Sequence, residues 1–365
     1  MNALKWIGGV LGSLLLLAAS AYGYLELTKE LDTGPPGGWE APRTSFGHPS
    51  LEGIWTSATI TTLERGSIFP APFNKLNLNR LEAAMIEGRF RGFLNGDLEP
   101  TDLDAPPPDP GGDVGGYNTF WLDPGERLMA VGGAIRSSIV VYPRNGRIPY
   151  RDRSRALLDD YILGVVGPQP RADGPEQRPL GERCIIGFGS TGGPPMLPVL
   201  YNNHYQFVQT PDHVAIVVEM NHDARILRLD SEHLPAHITP WLGDSIASWE
   251  GDTLVVETSN FHPGQSYRLA IKHQLYMSPK ARVTERFTRV GPTEMLYAFT
   301  VEDDEAYTDI WKGEMTLRRT KGPIYEYACH EGNYSLPGIL AGARYTERRM
   351  LEERNRLDDQ TGAES

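Results

Sequence analysis

The sequence has only two cysteines, and none of its histidines falls in a His-x-His or His-Glu-x-x-His spacing. Zinc-type frameworks need such clusters, so no metal site is expected. His204, His213 and His222 stand nine residues apart and do not share one strand face. Clustered Lys and Arg are also missing, and the net charge is −12. Neutralising phosphates requires a basic face, so nucleic acid is not an expected partner.

Two enzyme motifs are present only in broken form. Gly187-Phe188-Gly189-Ser190-Thr191-Gly192-Gly193 has no lysine and runs into Pro194-Pro195. A phosphate-binding loop needs a helix starting there, and proline forbids one. The same stretch lacks the first glycine of a Gly-x-Ser-x-Gly elbow, so no nucleophilic serine is signalled. No cofactor is expected; haem would need only one histidine in an apolar lumen.

Helical periodicity is almost absent from Gln206 to Glu331, where short β-rich runs alternate with tight turns. His213 to Met220, Ala224 to Asp230 and Ser245 to Asn260 form such runs, the last broken by Glu250-Gly251-Asp252 as by a hairpin loop. Ala281 to Asp303, Tyr307 to Thr320 and Ile324 to His330 continue the series. Six or seven consecutive strands form a meander, and a long meander removes its open edge by closing into a barrel.

The expected fold is therefore mainly β: an antiparallel up-and-down barrel with long Pro/Gly-rich loops and a few peripheral helices. Helices are expected over Asn79–Phe90, Arg153–Leu163 and Leu336–Asp358, and Ser137 to Tyr142 reads as one arm of a hairpin turned at Asn145-Gly146. The barrel domain spans 51–345, after a linker over 26–50 and before a charged helical tail over 346–365.

Residues 1–25 set the address. Lys5 precedes an uncharged run from Trp6 to Leu25, and Ala18-Ala19-Ser20-Ala21 offers small residues to a signal peptidase. The protein is expected to be exported to the periplasm, with this segment either cut off or kept as a membrane anchor. In an oxidising compartment a solitary pair, Cys184 and Cys329, reads as a disulfide, two separate buried thiols being the alternative.

Gly53-Ile54-Trp55 on the opening strand resembles the Gly-x-Trp signature of lipocalin-type barrels. Longer stretches carry a second resemblance: GGYNTFW (115–121), ERC (182–184), GPPMLPVLYNN (193–203), QTPDHVAIVVEMNHDARI (209–226), WLGDS (241–245), WEGDTLVVETSNF (249–261), ERFTRV (285–290) and YEYACHEGNYSLPGILAGAR (325–344). Together they resemble a large family of exported bacterial proteins. That resemblance implies an address and an architecture; no catalytic residue comes with it.

Candidate chemistry rests on polar residues within the strands, because a barrel alternates outward and inward side chains. Glu219 and Arg225 share a parity and are expected to face one space, provided no bend at Asn221 breaks the register. His330 and Glu331 are expected at the end of the last strand, where a barrel opens. With Glu219 and His222 they form the catalytic set. Tyr117, Trp121, Arg225, Glu257 and Arg286 form the ligand-binding set, although Glu285 and Arg286, being adjacent, must face opposite ways. Two functions follow: carriage or sensing of a hydrophobic small molecule in the cavity, or cofactor-free Glu/His acid–base catalysis (isomerase, hydratase or hydrolase) on an apolar ring-bearing compound.

Overall fold

The computed structural model describes residues 39–66, 74–97 and 122–362. In chain order it contains β1 (Gly53–Thr56), β2 (Asn77–Leu78), α1 (Arg80–Asp97), β3 (Ala130–Val131), β4 (Ala134–Arg136), β5 (Val140–Tyr142), α2 (Asp152–Val166), β6 (His204–Gln209), β7 (His213–Val218), β8 (Ala224–Leu229), β9 (Asp244–Glu250), β10 (Thr253–Ser259), β11 (Tyr267–Ala270), β12 (His273–Tyr276), β13 (Arg282–Arg289), β14 (Glu294–Glu302), β15 (Trp311–Thr320) and α3 (Ser335–Gly362). The leader, most of the linker, Tyr117 and Trp121 lie outside the described residues.

Nine strands close a ring in the order β1-β6-β7-β8-β9-β10-β13-β14-β15, and β15 returns to β1 through pairs such as Trp55↔Arg319. The barrel is therefore real, but it is not antiparallel throughout. Strands that alternate up and down can close a ring only if their number is even. With nine, one junction must run parallel, and it falls between β8 and β9 (Arg228↔Ile246). Residues Asp230 to Gly243 carry the chain back along the barrel to make that junction.

Alternation decides what faces inward. In β13, Val283, Glu285, Phe287 and Arg289 are buried while Arg282 and Arg286 are exposed. The interior is occupied rather than hollow. Trp55, Tyr205, Phe207, Ile216, Leu254, Phe287, Tyr297 and Phe299 fill it, with Phe287 stacked on Tyr297 at 4.9 Å and Phe299 edge-on to Trp311 at 5.4 Å. Gly313 leaves the space that the Phe299 ring takes, since a Cβ there would sit 2.2 Å from it.

Both ends are closed. At one, the Leu51 N–H donates to Gln209 Oε1 (2.6 Å), and Gln209 Nε2 donates back to the Pro49 carbonyl (3.1 Å). Trp55 lies there under the Arg289 guanidinium (5.7 Å). At the other end the glycine-rich run enters the barrel as a plug. Met196 N–H donates to Tyr297 Oη (2.8 Å), Tyr205 Oη donates to the Thr191 carbonyl (3.0 Å), and Met196 and Leu197 are fully buried.

Other expectations need correction. Ile324 to His330 is not a strand; the ring is complete at β15, and the chain leaves it in irregular conformation. The turn at Asn145-Gly146 starts no return strand, because β5 pairs with β15 instead (Gly313↔Val140). The helix expected from Asn79 runs on to Asp97, and its start is a capping box: Asn79 Oδ1 accepts the Glu82 N–H and Glu82 Oε2 accepts the Asn79 N–H, both at 2.9 Å.

Cys184 and Cys329 form a disulfide with their Cα atoms 5.7 Å apart. Such a bridge belongs to a chain that matures outside the cytoplasm. No helix among the described residues is long and apolar enough to cross a membrane.

Candidate functional site

At the plugged end of the barrel, the β6–β7 hairpin brings two ionisable side chains together. Tyr205 pairs with Val218, and one step further out the Glu219 N–H donates to the His204 carbonyl (2.9 Å). Residues paired across a strand share a face. Accordingly His204 Nδ1 meets Glu219 Oε2 at 2.9 Å, with Glu219 almost wholly buried and His204 about one quarter exposed. The other carboxylate oxygen, Oε1, accepts the main-chain N–H of Tyr325 (3.1 Å).

The backbone around this pair is unusual. Asn202, Asn221 and His222 have φ of 53°, 60° and 46°. After glycine, Asn, Asp and His adopt this left-handed region most readily. The two in succession turn the chain sharply from β7 into β8. This is the bend that separates Glu219 from Arg225: Glu219 stays at the rim, and Arg225 points into the lumen.

Charges adjust to the pairing. Hydrogen bonding to Glu219 raises the His204 pKa above its ordinary 6.5, against the opposing pull of burial. Burial alone would raise the Glu219 carboxyl, but bonds from His204 and the Tyr325 N–H outweigh it and leave the carboxyl below its usual value. The pair is held as imidazolium and carboxylate at mildly acid pH.

Inside the barrel, Arg225 and Glu285 form a two-pronged ion pair. Tyr297 Oη donates to Glu285 Oε1 (2.7 Å), and Arg225 Nη2 also reaches Ser245 Oγ and Thr258 Oγ1 (3.4 Å each). The chain Met196 N–H to Tyr297 to Glu285 to Arg225 thus links the plug to the barrel wall. No solvent reaches this pair, so it is a fastening rather than a reaction centre.

Further groups hold the plug, among them buried Arg268, whose Nη1 donates to Ser190 Oγ (2.9 Å) and to the Pro194 carbonyl. His273 is buried; its Nε2 accepts the Ser190 N–H (2.8 Å) and its Nδ1–H donates to the Pro198 carbonyl (3.2 Å), while burial lowers its pKa to about 3. It is a neutral tether. Asp223 accepts the Gly187 N–H (2.7 Å) and Asn221 Nδ2 (3.3 Å), and burial raises its pKa from 3.8 to about 6. A carboxyl whose folded pKa is raised binds more protons folded than unfolded, so stability falls as pH rises between about 4 and 6. Asp223→Asn should remove that dependence and stabilise the protein above pH 6 by up to about 2–3 kcal/mol. Urea denaturation of both proteins at pH 4 and pH 7 measures it, and equal slopes with pH would refute the assignment.

The remaining sequence-derived residues scatter. His222 is exposed on the left-handed turn. His330 and Glu331 are exposed in the irregular segment next to the disulfide, at the same end as Glu219 but in contact with neither His204 nor Glu219. Glu257 faces outward, and Arg286 pairs on the outer surface with Glu250 (2.8 Å). Reasoning from the sequence missed His204 and Tyr297 as site residues, and of the adjacent Glu285 and Arg286 it chose the one that faces outward. Parity could have found Glu285, which shares a face with Val283 and Phe287. Among the described residues no group of three or more His, Cys, Asp or Glu side chains is placed to hold a metal ion. Comparison with protein families, curated proteins and solved structures finds no match to this chain, so the reading of the site rests on its geometry.

Proposed function

We propose that this is an exported, periplasmic protein whose plugged barrel end carries a cofactor-free acid–base site, His204 with Glu219, acting on a ring-bearing small molecule. The observation behind this reading is the buried Glu219 carboxylate, fixed at both oxygens and directed at a half-buried imidazole.

With Glu219 accepting from Nδ1–H, the neutral imidazole carries its lone pair on Nε2, which makes no hydrogen bond with a described residue. Nε2 takes a proton from water or from an acidic position on the substrate, Glu219 stabilises the imidazolium, and Nε2 returns the proton to the product. Tyr325, two-thirds exposed, and the half-buried Tyr201 and Tyr327 supply aromatic surface at the same end. The base form exists only above the raised His204 pKa, so the acid limb of the rate profile should have its midpoint above 6.5.

The test is turnover of aryl esters, epoxides and conjugated enones by wild type, His204→Ala and Glu219→Gln, followed by mass spectrometry. A substrate slowed by about 100-fold or more in both variants, with melting temperature nearly unchanged, supports the reading. Equal rates in all three proteins overturn it. Carriage of a hydrophobic molecule in the lumen would require the plug to withdraw; a ligand retained by the purified protein in native mass spectrometry would favour that function instead.

A further inference from the structure

Residues 321–334 leave β15 without regular structure and cross the plugged end, and none of their side chains is buried. Its apolar hold is the half-buried Tyr327, which packs against the barrel core and hydrogen-bonds Tyr201. Three attachments stand out: the Tyr325 N–H on Glu219 Oε1 (3.1 Å), the Cys184–Cys329 bridge, and Asn333, whose Nδ2 donates to the Glu182 carbonyl (2.8 Å) and reaches Cys184 Sγ (3.4 Å). Asn333 Oδ1 also accepts the Leu336 N–H (3.3 Å), so this side chain is committed inside the structure and is unsuited to carry a glycan despite its Asn-Tyr-Ser sequence.

We propose that the Cys184–Cys329 disulfide is a positioning element of the acid–base site, keeping the strap of residues 321–334 across the barrel end so that the Tyr325 N–H orients Glu219 toward His204. The inference rests on the reading of His204 and Glu219 given above. Hydrogen bonds at both oxygens, with the Asn202 side chain as a further donor, present Oε2 to His204, and the Tyr325 N–H is the one that the strap supplies. Tyr325 is four residues before Cys329, so the covalent anchor and the orienting N–H belong to one short span. Opening the bridge frees that span, exposes Glu219 to water and weakens its hold on the imidazole.

The readout is the titration of His204 by NMR in the full chain, its signal identified by its absence in His204→Asn. In the oxidised wild type the midpoint should lie above 6.5, and in Glu219→Gln the elevation should vanish. In Cys184→Ser/Cys329→Ser, and separately in Tyr325→Pro, which removes the N–H together with the exposed ring and keeps the bridge, the midpoint should fall toward the ordinary value. Hydrogen exchange over 321–334 should quicken in the double-serine protein. An unmoved midpoint in both variants overturns the proposal, as does a strap that stays protected without the bridge. A purely stabilising disulfide would lower the melting temperature and leave the titration where it was. Failure to find any substrate would count against the proposed function and leave this titration result standing.

Discussion

Glu285→Ala should destabilise the protein by about 3–5 kcal/mol, because it leaves the Arg225 guanidinium charged and unpaired in a lumen that water does not reach. Removing both charges should be far milder. Arg225→Met/Glu285→Leu replaces the pair by apolar groups of similar volume, and such exchanges are commonly neutral or stabilising. Here one partner remains to be accounted for. Tyr297 loses the acceptor for its hydroxyl while still receiving the Met196 N–H, so the double variant should fall short of wild type by about 1–2 kcal/mol. Urea denaturation of the single and double variants decides between the cases. If Glu285→Ala costs less than about 1 kcal/mol, the guanidinium has found water and the barrel is not the packed core described here.

Gly189→Ala should be nearly as damaging, through a different cause. Gly189 has φ of +61°, which disfavours a side chain by about 1 kcal/mol. A Cβ there would also lie 2.4 Å from His273 Nε2, the atom that receives the Ser190 N–H. Displacing the imidazole breaks the tether of the plug, and overpacking of this kind adds about 1–3 kcal/mol. The combined loss of about 2–4 kcal/mol should come with faster hydrogen exchange over residues 187–197, while strands on the far side of the barrel keep their protection. Uniformly faster exchange would mean that the plug is no separate unit.

The fold was legible where a single period ran unbroken. The runs of β7, β13 and β14 alternate cleanly, and Asn79 with Glu82 announces a helix start. The parallel junction was not legible, since it follows from counting strands around a closed ring, and β11 and β12, four residues each and paired only with each other, were not read as strands. The lumen was misjudged for a related reason: the plug is built of Gly, Ser, Thr and Pro, whose sequence suggests an outer loop, and only tertiary bonds to Tyr205, Tyr297 and His273 show it entering the barrel. Of the candidate site, Glu219 was visible and its partner was not. Counting outward from the Thr210–Asp212 turn places His204 opposite Glu219, but that count requires knowing that the two strands pair in this register.

The seam between β1 and β15 has a consequence for how the molecule is made. Ile54 pairs across with Thr320, so the two sides of the closing junction lie 266 positions apart (320 − 54) in a chain of 365 residues. A growing polypeptide emerging from a ribosome or a translocation pore cannot complete the cylinder until its last strand arrives. Until then β1 presents a bare edge to neighbouring chains, and contacts of such long range form slowly. Closure of the ring at this seam is therefore the last step open to a chain made from its N-terminus.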